Sequence, residues 1–334
     1  MILVTGATGH IGNVLTRKLL QKGHQVRAFV TPGDDETPIQ GLEIEVAYGD
    51  VTDLESVRRA MPGAKDVFHL AAIITILPGR QPQVVRVNVD GTCNMLQAAQ
   101  EAGLHRFVYT SSIHALQRAP HGTVIDESLP YDPDNHYGEY DRSKARATLA
   151  VMEAARSGLD TVVLCPTGVV GPYDYRVSSL TASFLSSARQ EPQTIVQGSA
   201  YDFVDVNDVA DGIIAAYEKG RSGENYILSG ECMASDVLHQ TIGQVMGQPA
   251  KIKYLPLGQA RILAHIMGAY SRLTKSVPVF TPYALEVLLS NSNISHAKAT
   301  RELGYHPRPL RQSIAETIAW FRENRHQFPN LNIP

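Results

Sequence analysis

Hydrophobic and polar positions alternate in two rhythms along the first half of the chain. Short runs rich in Val, Ile, Leu and Phe, at residues 1–5, 25–30, 43–48, 66–71, 106–111 and 160–165, predict strands. Between them, amphipathic segments at 11–22, 53–61, 82–102 and 137–156 predict helices. Thr52-x-x-Glu55 reads as a capping box for the second of these. Near-continuous apolar strands alternating with helices belong to an α/β fold, a doubly wound parallel sheet covered on both faces. Such a sheet binds its ligand at the carboxyl ends of the strands.

The second half is less regular. Helices are expected near 178–189 and 208–218, and a strand at 225–229 returns to the sheet. From residue 234 most of the chain reads as helical, interrupted by prolines at 256, 278, 282, 307 and 309. This pattern divides the chain into two discontinuous domains. Residues 1–166 plus 206–230 are expected to form the sheet-bearing part, and 167–205 plus 231–334 a smaller, mostly helical part.

Composition narrows the function. The 334 residues carry 30 Lys and Arg against 33 Asp and Glu, a net charge of -3, which argues against a nucleic-acid binder. Three widely spaced cysteines, Cys93, Cys165 and Cys232, give no disulfide framework. The first residues, MILVTGATGHIG, read as a strand and turn rather than a signal peptide, and no apolar run is long enough for a membrane span. The expectation is a cytoplasmic protein. The histidines lack metal-ligand spacing, so no metal is expected.

The segment Thr5-Gly6-Ala7-Thr8-Gly9-His10-Ile11-Gly12 joins a strand to a helix. Glycines let a pyrophosphate approach the backbone, and the helix N-terminus supplies free N–H groups. Gly6, Gly9 and Gly12, with Thr8, His10 and Ile11 between them, are the candidate phosphate loop. An acidic residue about 20 positions on would hold the ribose 2′-hydroxyl, whereas an arginine would prefer a 2′-phosphate. The strand-end residue there, Thr31, is neither; Asp34 and Asp35 read equally as ligands or as turn residues, and Arg27 lies within the strand.

Tyr140 and Lys144 are four residues apart and share a helix face. A phenol titrates near 10, and a neighbouring ammonium lowers that value. Ser111-Ser112 ends a strand whose carboxyl end faces the same cleft. The catalytic expectation is therefore Ser112, Tyr140 and Lys144, with Ser111 as the alternative if the register slips by one.

These motifs, in this order, make the chain resemble the extended short-chain dehydrogenases/reductases, with a Rossmann-type sheet. Gly49-Asp50-Val51-Thr52-Asp53, His69-Leu70-Ala71-Ala72, Asn88-Val89-Asp90-Gly91-Thr92 and the segment 202–210 match as well. Cys165-Pro166-Thr167-Gly168-Val169-Val170-Gly171-Pro172 is most similar to the branch of dihydroflavonol 4-reductases and 3β-hydroxysteroid dehydrogenases. The resemblance implies that Asp50 and Val51 contact adenine. Ala71, Ala72 and Ile73 would lie under the cofactor, Pro166 and Val169 would border the nicotinamide, and Lys144 would hold the nicotinamide ribose. Asn88 would orient backbone or water, or start a helix. The cofactor is NAD(P)(H), with a slight family lean to NADPH. Relatives often dimerise through helices matching 82–102 and 137–156, so a homodimer is possible.

The expected reaction is reversible hydride transfer to a ketone or aldehyde, with Tyr140 giving the proton, Ser112 binding the oxygen and Lys144 tuning Tyr140. The main alternative is a sugar-nucleotide epimerase or dehydratase. Those often carry Arg-Asp-Phe where this chain has Tyr201-Asp202-Phe203, and Asn before the proline where it has Cys165-Pro166. A diphosphate without a cation partner binds poorly. The candidate pocket offers Ile73, Ile74, His114, Tyr173, Tyr175 and Tyr201, which suits an uncharged small-molecule carbonyl or alcohol. Arg80 and Arg176 are the cations that would rescue an anionic substrate. A second alternative is a non-catalytic NAD(P) sensor; relatives in that role usually lose the tyrosine or lysine, and both are present here.

Overall fold

A computed structural model describes residues 1–75, 81–274 and 281–333, without side chains for residue 265 and residues 268–274. In chain order the first part runs β1 (Ile2–Thr5), α1 (His10–Gln21), β2 (Val26–Val30), β3 (Glu45–Tyr48), α2 (Leu54–Ala60), β4 (Asp66–His69), α3 (Gln81–Val85), a π turn (Arg86–Asp90), α4 (Gly91–Glu101), β5 (Arg106–Thr110), α5 (Glu139–Arg156) and β6 (Thr161–Pro166). There follow β7 (Gly168–Val170), α6 (Ser179–Ala188), β8 (Gln193–Val196), β9 (Ala200–Asp205), α7 (Val206–Lys219), β10 (Glu224–Leu228), β11 (Glu231–Ala234) and α8 (Ser235–Val245). The chain ends with β12 (Ile252–Leu255), α9 (Leu257–Thr274), α10 (Pro282–Leu288), α11 (Ala297–Leu303) and α12 (Leu310–Glu323).

Seven strands form one parallel sheet in the order β10-β6-β5-β4-β1-β2-β3. Its strands are apolar because both faces are covered. On one face Val14, Leu15 and Leu19 of α1 and Val209, Ile213 and Ile214 of α7 pack on Val4, Ala28 and Val108. On the other, Val57 of α2, Met95 and Ala99 of α4 and Ala147 and Val151 of α5 pack on Leu3, Val67, Phe107 and Val163. The strand order reverses between β1 and β4, so the crevice beyond their carboxyl ends is where this topology binds ligands.

The remaining strands are short. β11-β9-β7 form a three-stranded sheet and β12 pairs with β8. Phe184 of α6, Leu238 and Ile242 of α8 and Ile314 and Ile318 of α12 pack with Phe203 and Val170. These strands depart from the sequence expectation, which read this region as turns and helices. With three to six residues each, they are held by partners distant in sequence rather than by a local alternation. The capping expectation also shifts by one residue. Asp53, not Thr52, caps α2 by accepting from Glu55 N at 3.1 Å, while Thr52 N donates to Asp50 Oδ1 at 2.8 Å.

His69, fully buried at the end of β4, lies between the Thr5 hydroxyl at 2.7 Å and the Thr92 hydroxyl at 2.9 Å. Thr5 Oγ1 in turn accepts from Ala71 N at 3.1 Å, so the chain of bonds fixes the ends of β1 and β4 against each other. Burial pushes the His69 ring down to about 3. A base depressed in the folded state lets the unfolded chain bind the extra proton, so stability falls as pH drops below about 6.5 toward that value. Buried Asp202, pushed up to about 6, contributes in the opposite sense. The His69 share is therefore read by difference. Urea unfolding of wild type and His69→Asn between neutral pH and the acid range should show a steeper loss in wild type, approaching about 1.4 kcal/mol per pH unit. Parallel curves for the two proteins would remove His69 from the pH dependence.

Candidate active site

The loop after β1 turns on Gly6, whose φ of +70° is the left-handed region open to glycine. A side chain at Gly12 would place its first carbon 2.0 Å from the Gly6 carbonyl oxygen. This packing brings the backbone to the mouth of the crevice. Gly9 precedes α1 without any side-chain cap, so the first N–H groups of that helix face outward unsatisfied by the protein's own side chains. A partial positive charge and free donors at one point suit an anion.

Lys144 and Tyr140 are both buried on α5, 3% and 8% exposed. Lys144 donates to the Thr110 carbonyl at 2.8 Å, and its Nζ stands 5.1 Å from the centre of the Tyr109 ring. Burial holds the ammonium down to about 8. The Tyr140 phenol is hydrogen-bonded by Ser112, yet burial outweighs that bond and pushes the phenol up to about 12. This reverses the expectation that Lys144 acidifies the phenol. Removing both groups from water costs their charged forms more than any mutual attraction returns.

β5 ends at Thr110, one residue earlier than the sequence suggests, and the two serines that follow have different partners. Ser111 turns inward to Thr148 Oγ1 at 2.6 Å. Ser112 stays at the crevice, where its hydroxyl also accepts from His114 N at 3.2 Å.

A family model described as the NAD dependent epimerase/dehydratase family matches residues 2–229. The chain belongs to this family. It is an NAD(P)-dependent enzyme of the extended short-chain dehydrogenase/reductase class. It is similar to sterol demethylase protein B of Methylococcus capsulatus, at 35% identity over 96% of this chain and 98% of that one. A putative dihydroflavonol 4-reductase of Synechocystis is 30% identical over 96% of this chain and 94% of that one. Among solved structures, that of gox2253 superposes with a TM-score of 0.86 at 33% identity, covering 97% of this chain and 98% of that one.

Against this family's cofactor cleft, the other expected residues fall as follows. Thr8, His10 and Ile11 lie on the loop and first turn of α1, and Thr31 is exposed just past β2. Asp50 is spent on its own turn through Thr52 N, and buried Val51 packs against Gly91. Ala71 and Ala72 are half-buried beyond β4, while Pro166 closes β6 and Val169 is half-buried on β7. Ile73 is tied on both sides by Asn88, whose amide accepts from Ile73 N at 2.7 Å and donates to Ile73 O at 3.0 Å. The same amide donates to Ser143 on α5 at 3.0 Å.

Of the expected pocket residues, the structure pairs only His114 and Tyr201. Their rings stack and share a 2.8 Å hydrogen bond, and His114 presents an edge to Tyr140 at 6.3 Å between ring centres. Ile74 is 75% exposed. Tyr173 and Tyr175 turn away from that pair, because Trp320 and Phe328 near the C-terminus offer them an aromatic cluster. Arg80 lies outside the described residues. Cys165 is buried, and burial pushes its thiol up to about 12, so it packs rather than reacts.

Two features went beyond the sequence reading, which expected Asn88 only to orient backbone or water or to start a helix. Asn88 sits on a π turn, and sequence spacing alone suggests one unbroken helix there. Asp141, next to Tyr140, is buried and held by the Tyr283 hydroxyl at 2.5 Å and Arg118 at 3.3 Å. Its partners come from distant segments, so no local signal marks it. Asn88→Ala would leave Ile73 and Ser143 without partners. It should lower stability by about 1–3 kcal/mol and reduce turnover, read by thermal unfolding and steady-state rates. Wild-type values for both would make the amide dispensable.

Proposed function

We propose that this enzyme is a reductase that converts a ketone or aldehyde to an alcohol, with hydride from a nicotinamide dinucleotide and the proton from Tyr140. The observation that carries this reading is the state of Tyr140. A buried phenol held protonated up to about 12, and bonded to Ser112, is a proton donor at neutral pH.

The residues suit NAD(P)(H). The glycine loop and uncapped start of α1 receive its diphosphate, and Lys144 lies at the strand ends where its nicotinamide ribose would be held. The bound dinucleotide supplies the hydride. Ser112 and Tyr140 orient the carbonyl oxygen between two hydroxyl groups. As negative charge develops on that oxygen, Tyr140 transfers its proton and Ser112 keeps its hydrogen bond. The protonated Lys144 ammonium stabilises the phenolate left behind.

Residues 1–166 plus 206–230 are read as the dinucleotide part, and 167–205 plus 231–334 as the substrate part. His114 and Tyr201 border the substrate with aromatic faces, which supports an uncharged, aromatic or polycyclic carbonyl compound. The sterol and dihydroflavonol in the names of the similar proteins fit that chemistry. A sugar-nucleotide substrate is the weaker reading, because Tyr201 stands where its diphosphate needs an arginine, and nearby Arg118 is engaged by Asp141. A sensor without turnover is weaker still, since the tyrosine–lysine pair is intact. Three free cysteines and no helix, among the described residues, long and apolar enough to cross a membrane are compatible with a cytoplasmic enzyme.

Cofactor oxidation over a panel of aromatic and polycyclic ketones tests the reading. Tyr140→Phe should cut turnover by about 10²–10⁴-fold while leaving cofactor binding intact. Wild-type reduction should hold steady at lower pH and decline above about 8 as Lys144 loses its proton. Lys144→Arg, charged throughout, should abolish that decline. Unchanged turnover in Tyr140→Phe, or sugar-nucleotide conversion without ketone reduction, would overturn the proposal.

A further inference from the structure

The corner where β2 meets the glycine loop joins segments far apart in sequence. Thr8 Oγ1, on the loop, donates to Asp34 Oδ2 at 2.6 Å. Arg176, from the stretch between β7 and α6, places one guanidinium nitrogen 2.8 Å from both Asp34 oxygens and 3.1 Å from Thr8 Oγ1. Sequence spacing left Asp34 and Asp35 equal as ribose ligands. The structure separates them, because Asp35 accepts from the Thr37 amide and hydroxyl of its own turn at 3.0 and 2.6 Å. Arg27 is likewise spent, on Glu45 and on the carbonyls of Ala60 and Pro62.

Arg176 owes its place to more than Asp34. Its segment is strapped to α1, where the His10 ring donates to the Pro172 carbonyl at 2.9 Å and Asn13 donates to the Tyr173 carbonyl at 3.1 Å. Arg17, the next cation along α1, is engaged by the Pro38 carbonyl and lies 5.0 Å over the Tyr173 ring. The corner therefore presents one carboxylate paired with one guanidinium nitrogen, beside the glycine loop.

We infer that Asp34 and Arg176 form a charge latch at the 2′-oxygen of the adenosine ribose, and that this latch selects NADH over NADPH. The inference rests on the proposed reading that a dinucleotide lies across the glycine loop. Asp34 offers an acceptor to a ribose hydroxyl and repels a 2′-phosphate, which carries roughly two negative charges near neutral pH. One nitrogen of the guanidinium, a group otherwise well suited to a phosphate, is already engaged by the carboxylate. Selection thus comes from Asp34 both directly and through its hold on Arg176. The result runs against the slight family lean to NADPH.

Fluorescence titration with NADH and with NADPH tests this on the full chain. Wild type should bind NADH tighter by about tenfold or more, the scale of a single charge-assisted hydrogen bond. Asp34→Asn keeps an acceptor for Thr8 but frees the guanidinium, and should shift the NADPH-to-NADH affinity ratio at least about tenfold toward NADPH. Adding Arg176→Ala to Asp34→Asn should remove most of that shift, while Arg176→Ala alone should retain the NADH preference. The inference fails if wild type prefers NADPH, if Asp34→Asn leaves the ratio unchanged, or if the shift survives without Arg176. Binding of neither nucleotide by folded wild type would overturn the dinucleotide reading, and this inference with it. A preference for NADPH would overturn the latch alone.

Discussion

The site depends on taking a phenol and an ammonium out of water together. Lys144 and Tyr140 sit on the inner face of α5, which packs through Ala147 and Val151 against the sheet. That packing fixes the helix over the ends of β5 and β6 and leaves the ammonium one strong acceptor, the Thr110 carbonyl. A buried charge with so few partners shifts toward its neutral form. The titration ranges of Lys144 and Tyr140 consequently move apart, the amine down and the phenol up. The resting pair is an acid with a weak hold on its counter-charge. On the proposed reading, a developing alkoxide would draw its proton, and the phenolate would then reinforce the charge on Lys144.

The rest of the fold serves to aim this pair. The Thr5–His69–Thr92 chain locks the ends of β1 and β4, where the strand order reverses. Asn88 then joins the segment after β4 to α5. Beside Tyr140, His114 and Tyr201 hold each other in register. Aromatic surfaces at that position suit a flat apolar molecule, and Tyr201 gives a diphosphate no cation from β9.

Much of this was legible in the sequence. The seven-stranded sheet followed from apolar runs between amphipathic helices, and residue spacing singles out the glycine loop, Ser112, Tyr140 and Lys144 as the candidates that the proposed function uses. These are local signals. The short strands β7, β8, β9, β11 and β12 were not legible, because their pairing partners lie far away in the chain. The same reason hid Asp141, whose partners Arg118 and Tyr283 come from either side of it at long range, and the partners of Asp34, Thr8 and Arg176, where Asp35 is held within its own turn. Tyr173 and Tyr175 were expected at the substrate for their chemistry, yet the nearest aromatic partners, Trp320 and Phe328, took them elsewhere. The electrostatics of Tyr140 failed for a related reason: spacing reveals a neighbouring charge but not the depth of burial that outweighs it.

The central claim is that burial keeps the Tyr140 phenol protonated. It is tested most directly by a carbon-13 NMR titration of protein labelled at the tyrosine Cζ, with Tyr140→Phe assigning the resonance. The account predicts that the signal keeps its protonated position through neutral and moderately alkaline pH, moving only toward about 12. An inflection near neutral pH would reveal an acidified phenolate at rest and contradict it.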